Sequence, residues 1–142
     1  MKKQELLELL NKEPDSISLH DATLYRFSWT NNSVTFTLAL GGHHYLVNNL
    51  EPFVTDIHNT VVLVLRFENI KSIACDFDTD FVFEGCEIAT SEVENATFKL
   101  QLLDGISFGS LSFRYESFSW DAIGEFDDIQ LSDWQKVNKI CQ

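Results

Sequence analysis

Two runs of alternating residues lie close together near the start of the chain. Tyr25, Phe27 and Trp29 alternate with Arg26 and Ser28, and Val34, Phe36, Leu38 and Leu40 alternate with Thr35, Thr37 and Ala39. A period of two is the pattern of a strand with one buried face. Asn31-Asn32 separates the runs, and asparagine tolerates the positive φ that a two-residue hairpin turn demands. Closing the hairpin there sets Trp29 against Val34, Phe27 against Phe36 and Tyr25 against Leu38. Directly opposed residues share a face, so every apolar side chain falls on one side.

The same reading extends outward from this hairpin. Residues 3–12 predict a short helix with Leu6, Leu7 and Leu10 on one stripe, ended by Pro14. About ten residues make a helix that is marginal alone, so it must dock on something. Gly41-Gly42 stops the second strand, and 41–59 reads as a long connection containing Pro52. Thr60–Phe67 is rich in β-branched residues on both faces, as expected of a central strand covered on two sides. Residues 72–78 and 81–88 predict strands, 89–95 a polar turn, and Phe98, Leu100 and Leu102 a further strand before Asp104-Gly105. A last β-rich stretch runs to Trp120. Its period breaks between Phe108 and Leu111, and again between Tyr115 and Phe118; bulges beside Gly109 and near Ser117 would explain this, as would a longer loop over 104–110. Trp134, Val137 and Ile140 suggest a closing helix over 131–140 with Ser132 as its N-cap. The expected fold is mainly β with some α: an antiparallel sheet, sandwich or partly open barrel, flanked by a short N-terminal and a C-terminal helix.

Composition narrows the class. The 142 residues suit a single domain over 1–142, and 12 Phe with 3 Trp and 3 Tyr supply a core without staples. The opening MKKQELLELLNKEPDS is charged throughout and lacks the apolar centre of a secretory signal. The longest apolar run, Val61–Leu65, is strand-sized and far short of a membrane helix. Three cysteines, Cys75, Cys86 and Cys141, form no C-x-x-C pair, and their odd number argues against a disulfide framework. A cytoplasmic setting fits these features.

Charge is more informative than composition. The net charge of −12 is concentrated in two windows that contain no base. Between Lys71 and Lys99 lie Asp76, Asp78, Asp80, Glu84, Glu87, Glu92 and Glu94; between Arg114 and Lys136 lie Glu116, Asp121, Glu125, Asp127, Asp128 and Asp133. Such a surface repels nucleic acid and anionic membrane and attracts basic partners or divalent cations. In the second window Trp120, Phe126, Ile129 and Trp134 are interleaved with the acids. Aromatic anchors among steering carboxylates suit capture of a basic protein, so Asp121, Glu125, Phe126, Asp127 and Asp128 are the candidate partner-binding residues.

Candidate chemistry is sparse. Asp76, Asp78, Asp80 and Glu87 repeat the spacing of a calcium loop, but Phe81 stands where that loop requires glycine. As a strand, the same segment places Asp76, Asp78, Asp80 and Glu84 on one face and Phe77, Phe81 and Phe83 on the other, which is the favoured reading. His43-His44 and His58 lack zinc-ligand spacing and read as surface-loop histidines. His20-Asp21 opens the first β segment; an acid–base pair would need the two side chains to meet, which consecutive residues of a strand do not readily do, and a turn-capping role serves equally well. No G-x-S-x-G elbow or glycine-rich phosphate loop is present. Catalytic residues, a metal and a cofactor are therefore not assigned.

The stretch SISLHDATLYRFSWTNNSVTFTLAL resembles, over residues 17–40, the opening of small bacterial families that begin with a His-Asp-Ala or His-Asp-Ser motif, some of them immunity proteins of polymorphic toxin systems and others uncharacterised. VVLVLRFENI and LLDGISFGSLSFRYESF echo the order of elements that follow. The resemblance implies a β-rich bacterial protein and an inhibitor that neutralises a toxin; it assigns no role to His20 or Asp21. Two other functions stay open at this point, a carrier for a small apolar ligand inside a curled sheet, and a metal-dependent enzyme.

Overall fold

The hairpin around Asn31-Asn32 forms in the computed structural model, which describes residues 3–41, 44–47, 51–52 and 60–123. Strand β1 (Thr23–Trp29) pairs with β2 (Ser33–Gly41), with Trp29 opposite Val34 and Phe27 opposite Phe36 as the alternation requires. Nearer the open end the register shifts between Leu24 and Arg26, so that Leu24, not Tyr25, faces Leu38. The bulge turns the fully buried Leu24 inward and leaves Tyr25 half-buried. The turn also differs from expectation, since neither asparagine takes a positive φ. Thr30 holds it instead: its N–H donates to Ser33 O at 2.9 Å, and its Oγ1 accepts the N–H groups of Ser33 and Asn32.

Helix α1 (Lys3–Leu10) is followed by β1 and β2, then by a small separate pair, β3 (Tyr45–Leu46) and β4 (Glu51–Pro52). Strands β5 (Thr60–Glu68), β6 (Lys71–Phe77), β7 (Cys86–Glu94), β8 (Thr97–Asp104), β9 (Ser107–Arg114) and β10 (Ser117–Ile123) complete the main sheet. Its eight strands are antiparallel in the order β10-β5-β2-β1-β7-β8-β9-β6. The β5 segment has strands on both edges, and Val61, Val62 and Leu63 are buried on both faces, as its composition predicts. The expected C-terminal helix over 131–140 lies outside the described residues.

The connections show how this long order is folded. Only Asn69-Ile70 joins β5 to β6, and only Tyr115-Glu116 joins β9 to β10, although each pair stands far apart in the strand order. Such short links require the sheet to double over, bringing β10-β5-β2-β1 against β7-β8-β9-β6. The two groups are joined where β1 meets β7 through Thr23 opposite Glu87 and Leu24 opposite Cys86. Rings fill the space between them. Phe67 of β5 lies 4.7 Å from Phe98 of β8 and 5.0 Å from Phe113 of β9, and Phe36 of β2 lies 5.9 Å and 6.3 Å from the same two rings. All four are buried, so these rings form the centre of the interior between the two groups of strands.

Three expectations in the second half are corrected. The segment 89–95 is not a turn, since β7 runs through it to Glu94; the turn is Asn95-Ala96, both with positive φ, as in a tight two-residue hairpin. Residues 78–85 form a loop, not the start of a strand. The last β-rich stretch is two strands and has no bulge at Gly109, for β8 and β9 pair without a shift from Asp104–Ser107 to Thr97–Arg114. Ser107, Gly109, Leu111 and Phe113 point inward, which sends Phe108 outward. The second break, near Ser117, is the link between β9 and β10.

Helix α1 lies against β10 and buries Leu6 and Leu10 in the core. It ends at Leu10, two residues earlier than its stripe suggests, where Ser16 Oγ reaches back to the carbonyls of Glu13 (2.7 Å) and Leu10 (3.2 Å). Among the described residues no helix is long and apolar enough to cross a membrane.

Candidate protein-docking face

The His20-Asp21-Ala22 motif is built into the entry to β1. Asp21 adopts φ 66°, and its N–H donates to Ile88 O while Ala22 O accepts from Ile88 N–H. Ala22 is fully buried there. The pairing of β7 with β8 shifts between Ile88 and Thr90, and His20 Nδ1 lies 2.7 Å from the carbonyl of the intervening Ala89. With the Nδ1 proton donated to that carbonyl, the motif clamps the chain entering β1 onto the bulge of β7. Left-handed geometry at Asp21 also brings the neighbouring side chains together, with His20 Nε2 at 3.5 Å from Asp21 Oδ2, which a strand would not allow. Both groups are exposed.

The other histidine that the structure describes is also structural. His44 is 2% exposed, not a surface residue; its Nδ1 accepts the N–H of Gly41 at 3.0 Å, and its main-chain N–H donates to Gly41 O. His43 and His58 lie outside the described residues. So do Glu125, Phe126, Asp127 and Asp128 of the predicted partner site. Asp121 is described: it is exposed on β10, and its Oδ1 accepts the N–H of Ala122 at 2.8 Å. Register places it in one outward row with Val64, Thr37 and Arg26, across the sheet β10-β5-β2-β1.

The acids of the first window take a different arrangement from the strand expected. Phe77, Phe81 and Phe83 do gather, joined by Phe27, with Phe83 stacked on Phe27 at 4.8 Å and against Phe77 at 4.7 Å. The carboxylates, however, fasten the 78–85 loop. Asp78 Oδ2 accepts the N–H of Phe108 at 2.7 Å, Asp80 Oδ1 accepts the hydroxyl of Ser107 at 2.9 Å, and Asp104 Oδ2 accepts the N–H of Val82 at 3.0 Å. Among the described residues no group of three or more His, Cys, Asp or Glu side chains is placed to hold a metal ion.

This fastening creates a face that the sequence did not reveal. Ile106 is 92% exposed, Phe108 63% and Val82 57%. On the outer surface of β7-β8-β9-β6, Phe108 pairs across to Leu103, and Leu103 to Glu87; the next row is Asp76, Ser110, Gln101 and Thr90. Asp76, Asp78, Asp80, Glu84, Glu87 and Asp104 form no ion pair among the described residues, whereas Glu68, Glu94 and Glu116 each have a cation within 4.0 Å. Three exposed apolar side chains thus stand among carboxylates that form no ion pair among the described residues. The signal was available in principle: counting alternate residues from the Asp104-Gly105 turn puts Gly109 inward and Phe108 outward.

A separate open cleft of about 720 Å³ lies over the outer face of β1 and β2, lined by Tyr25, Arg26, Phe27, Thr35, Thr37 and Glu84 among others. Its lining is mixed, with a guanidinium over the Tyr25 ring at 5.7 Å. Comparisons with protein families, with curated proteins and with solved structures give no match for this chain.

Proposed function

We propose that the protein is a binding module for a cationic protein, an immunity-type inhibitor that neutralises a basic toxin domain. The observation that carries this reading is the group Ile106, Phe108 and Val82, exposed among carboxylates that lack cation partners among the described residues. Exposed anchors supply the buried centre of an interface, and unpaired acids steer a basic partner and set its orientation. The resemblance of residues 17–40 to the opening of families that include immunity proteins supports the same conclusion. The partner and the bacterial, cytoplasmic setting belong to this proposal. A carrier role for a small apolar ligand has less support, because phenylalanine rings occupy the space between the layers and the open cleft has a mixed, charged lining.

The test is capture of the partner from source cells with the native chain, followed by binding measurements on the purified pair. Replacing Ile106 and Phe108 together by serine is expected to weaken binding about 100-fold or more, the effect of losing two anchor side chains. Asp76→Asn with Glu87→Gln is expected to slow association and flatten its salt dependence. Neutralising Asp121, Glu125, Asp127 and Asp128 together tests the second acidic window as the contact. A captured partner indifferent to the first two sets of changes would remove the proposed face.

A further inference from the structure

We infer that β6 is a docking edge, at which an extended, lysine- or arginine-bearing segment of a partner adds as a ninth strand beside Phe108. The inference rests on the proposed reading of a cationic partner and specifies how that partner is held. It starts from the unlike edges of the sheet. On β10 the exposed edge is closed by side chains: Asn11 bonds both the N–H and the C=O of Trp120, and Asp121 takes the N–H of Ala122. On β6 nothing comparable occurs among the described residues. Lys71 through Asp76 are exposed, and β6 pairs only with β9.

Register identifies the open groups. Asp78 N–H donates to Phe108 O, and Asp76 and Ala74 lie opposite Ser110 and Ser112. In an antiparallel ladder the bonded residues alternate, so Ala74 and Asp76 face β9 with their main chain, and Cys75 and Phe77 face away from it. Their N–H and C=O groups are a template for another strand. Charge selects the occupant. Asp76 projects from the outer face of β6, and Asp78, Asp80 and Asp104 continue the acidic run beside exposed Phe108 and Ile106. A second copy of this chain would bring its own charge of −12 to that edge, whereas a segment alternating basic and apolar residues would meet carboxylates and anchors together.

The probe is a blocked peptide of alternating lysine and valine, with an alternating glutamate and valine peptide as control, added to the full-length protein. Amide hydrogen exchange is followed by NMR. The lysine peptide is expected to slow exchange at Cys75 and Phe77 by about tenfold or more, the signature of new main-chain hydrogen bonds, and the glutamate peptide to leave both unchanged. Cys75→Pro removes an outward N–H without removing a bond to β9, so it should abolish this binding while Cys75→Ala retains it. Binding that leaves Cys75 and Phe77 exchange unchanged, yet is lost in the Ile106→Ser, Phe108→Ser variant, would overturn strand addition and leave the cationic-partner reading standing. No binding of the lysine peptide, or equal protection by both peptides, would likewise overturn the inference; the captured partner's response to the same serine variant judges the underlying reading separately.

Discussion

The side-chain amide of Asn11 stands in for a neighbouring strand at Trp120. Its Oδ1 accepts the Trp120 N–H at 2.8 Å, and its Nδ2 donates to the Trp120 carbonyl at 3.2 Å. One short side chain thereby satisfies both main-chain groups of an edge residue and ties the end of α1 to the last described strand. Asn11→Ala leaves both groups of Trp120 without these bonds, and we expect a loss of about 1–3 kcal/mol in denaturant unfolding. Asn11→Asp keeps an acceptor for the N–H but loses the donor, so it should fall between the native protein and the alanine variant.

Gly109 faces Phe77 directly across β9 and β6. A Cβ at this position would overlap the Phe77 ring, with Cε1 at 2.7 Å and the Phe81 ring tip at 3.1 Å. Gly109→Ala is expected to cost about 1–3 kcal/mol, the range for overpacking a filled interior. Adding Phe77→Leu should recover part of that loss, a non-additivity visible in a double-mutant cycle. Gly105→Ala provides the contrast: its Cβ would meet nothing within 4 Å, but φ is +61°, so its cost of about 1 kcal/mol is that of the left-handed backbone alone.

The two described cysteines should differ sharply in reactivity. Cys75 is exposed on β6, while Cys86 is buried, and its thiol is pushed up from 9.0 to about 12, by burial first and by the Asp104 carboxylate next. The folded chain therefore keeps a proton that the unfolded chain releases. The stability this confers is complete below pH 9 and is lost as the pH rises toward 12. Unfolding midpoints should fall over that interval, and Cys86→Ala should reduce the slope. Peptide mapping after alkylation at neutral pH should find Cys75 modified and Cys86 protected until denaturant is added.

What was legible in the sequence was the period and not the path. Phe36, Leu38 and Val34 announce their strand because alternation is local, and Val61–Leu65 announces a central strand because both faces are apolar. The bulge beside Tyr25 is invisible in the pattern, since shifting one residue leaves large side chains on both candidate positions. Ala96 gives no warning of a left-handed turn, because alanine has no preference for one; the extended pairing of β7 and β8 imposes it. The exposed apolar patch was hidden for a similar reason. Phe108 looks like core until Gly109 is recognised as the inward residue that makes room for Phe77. Charge could be counted along the chain, but which acids stand without a cation depends on contacts between distant strands.

The position of β5 has a consequence for how the chain is made. Its apolar VVLVL segment is flanked by β2, which precedes it, and by β10, the last described strand, about 50 residues later. During synthesis from the N-terminus β5 can pair with β2 at once, but its other edge has no partner until Ile123 has emerged. Throughout that interval the nascent protein carries its most apolar strand with one edge bare, a state suited to chaperone binding and prone to strand exchange between neighbouring nascent chains.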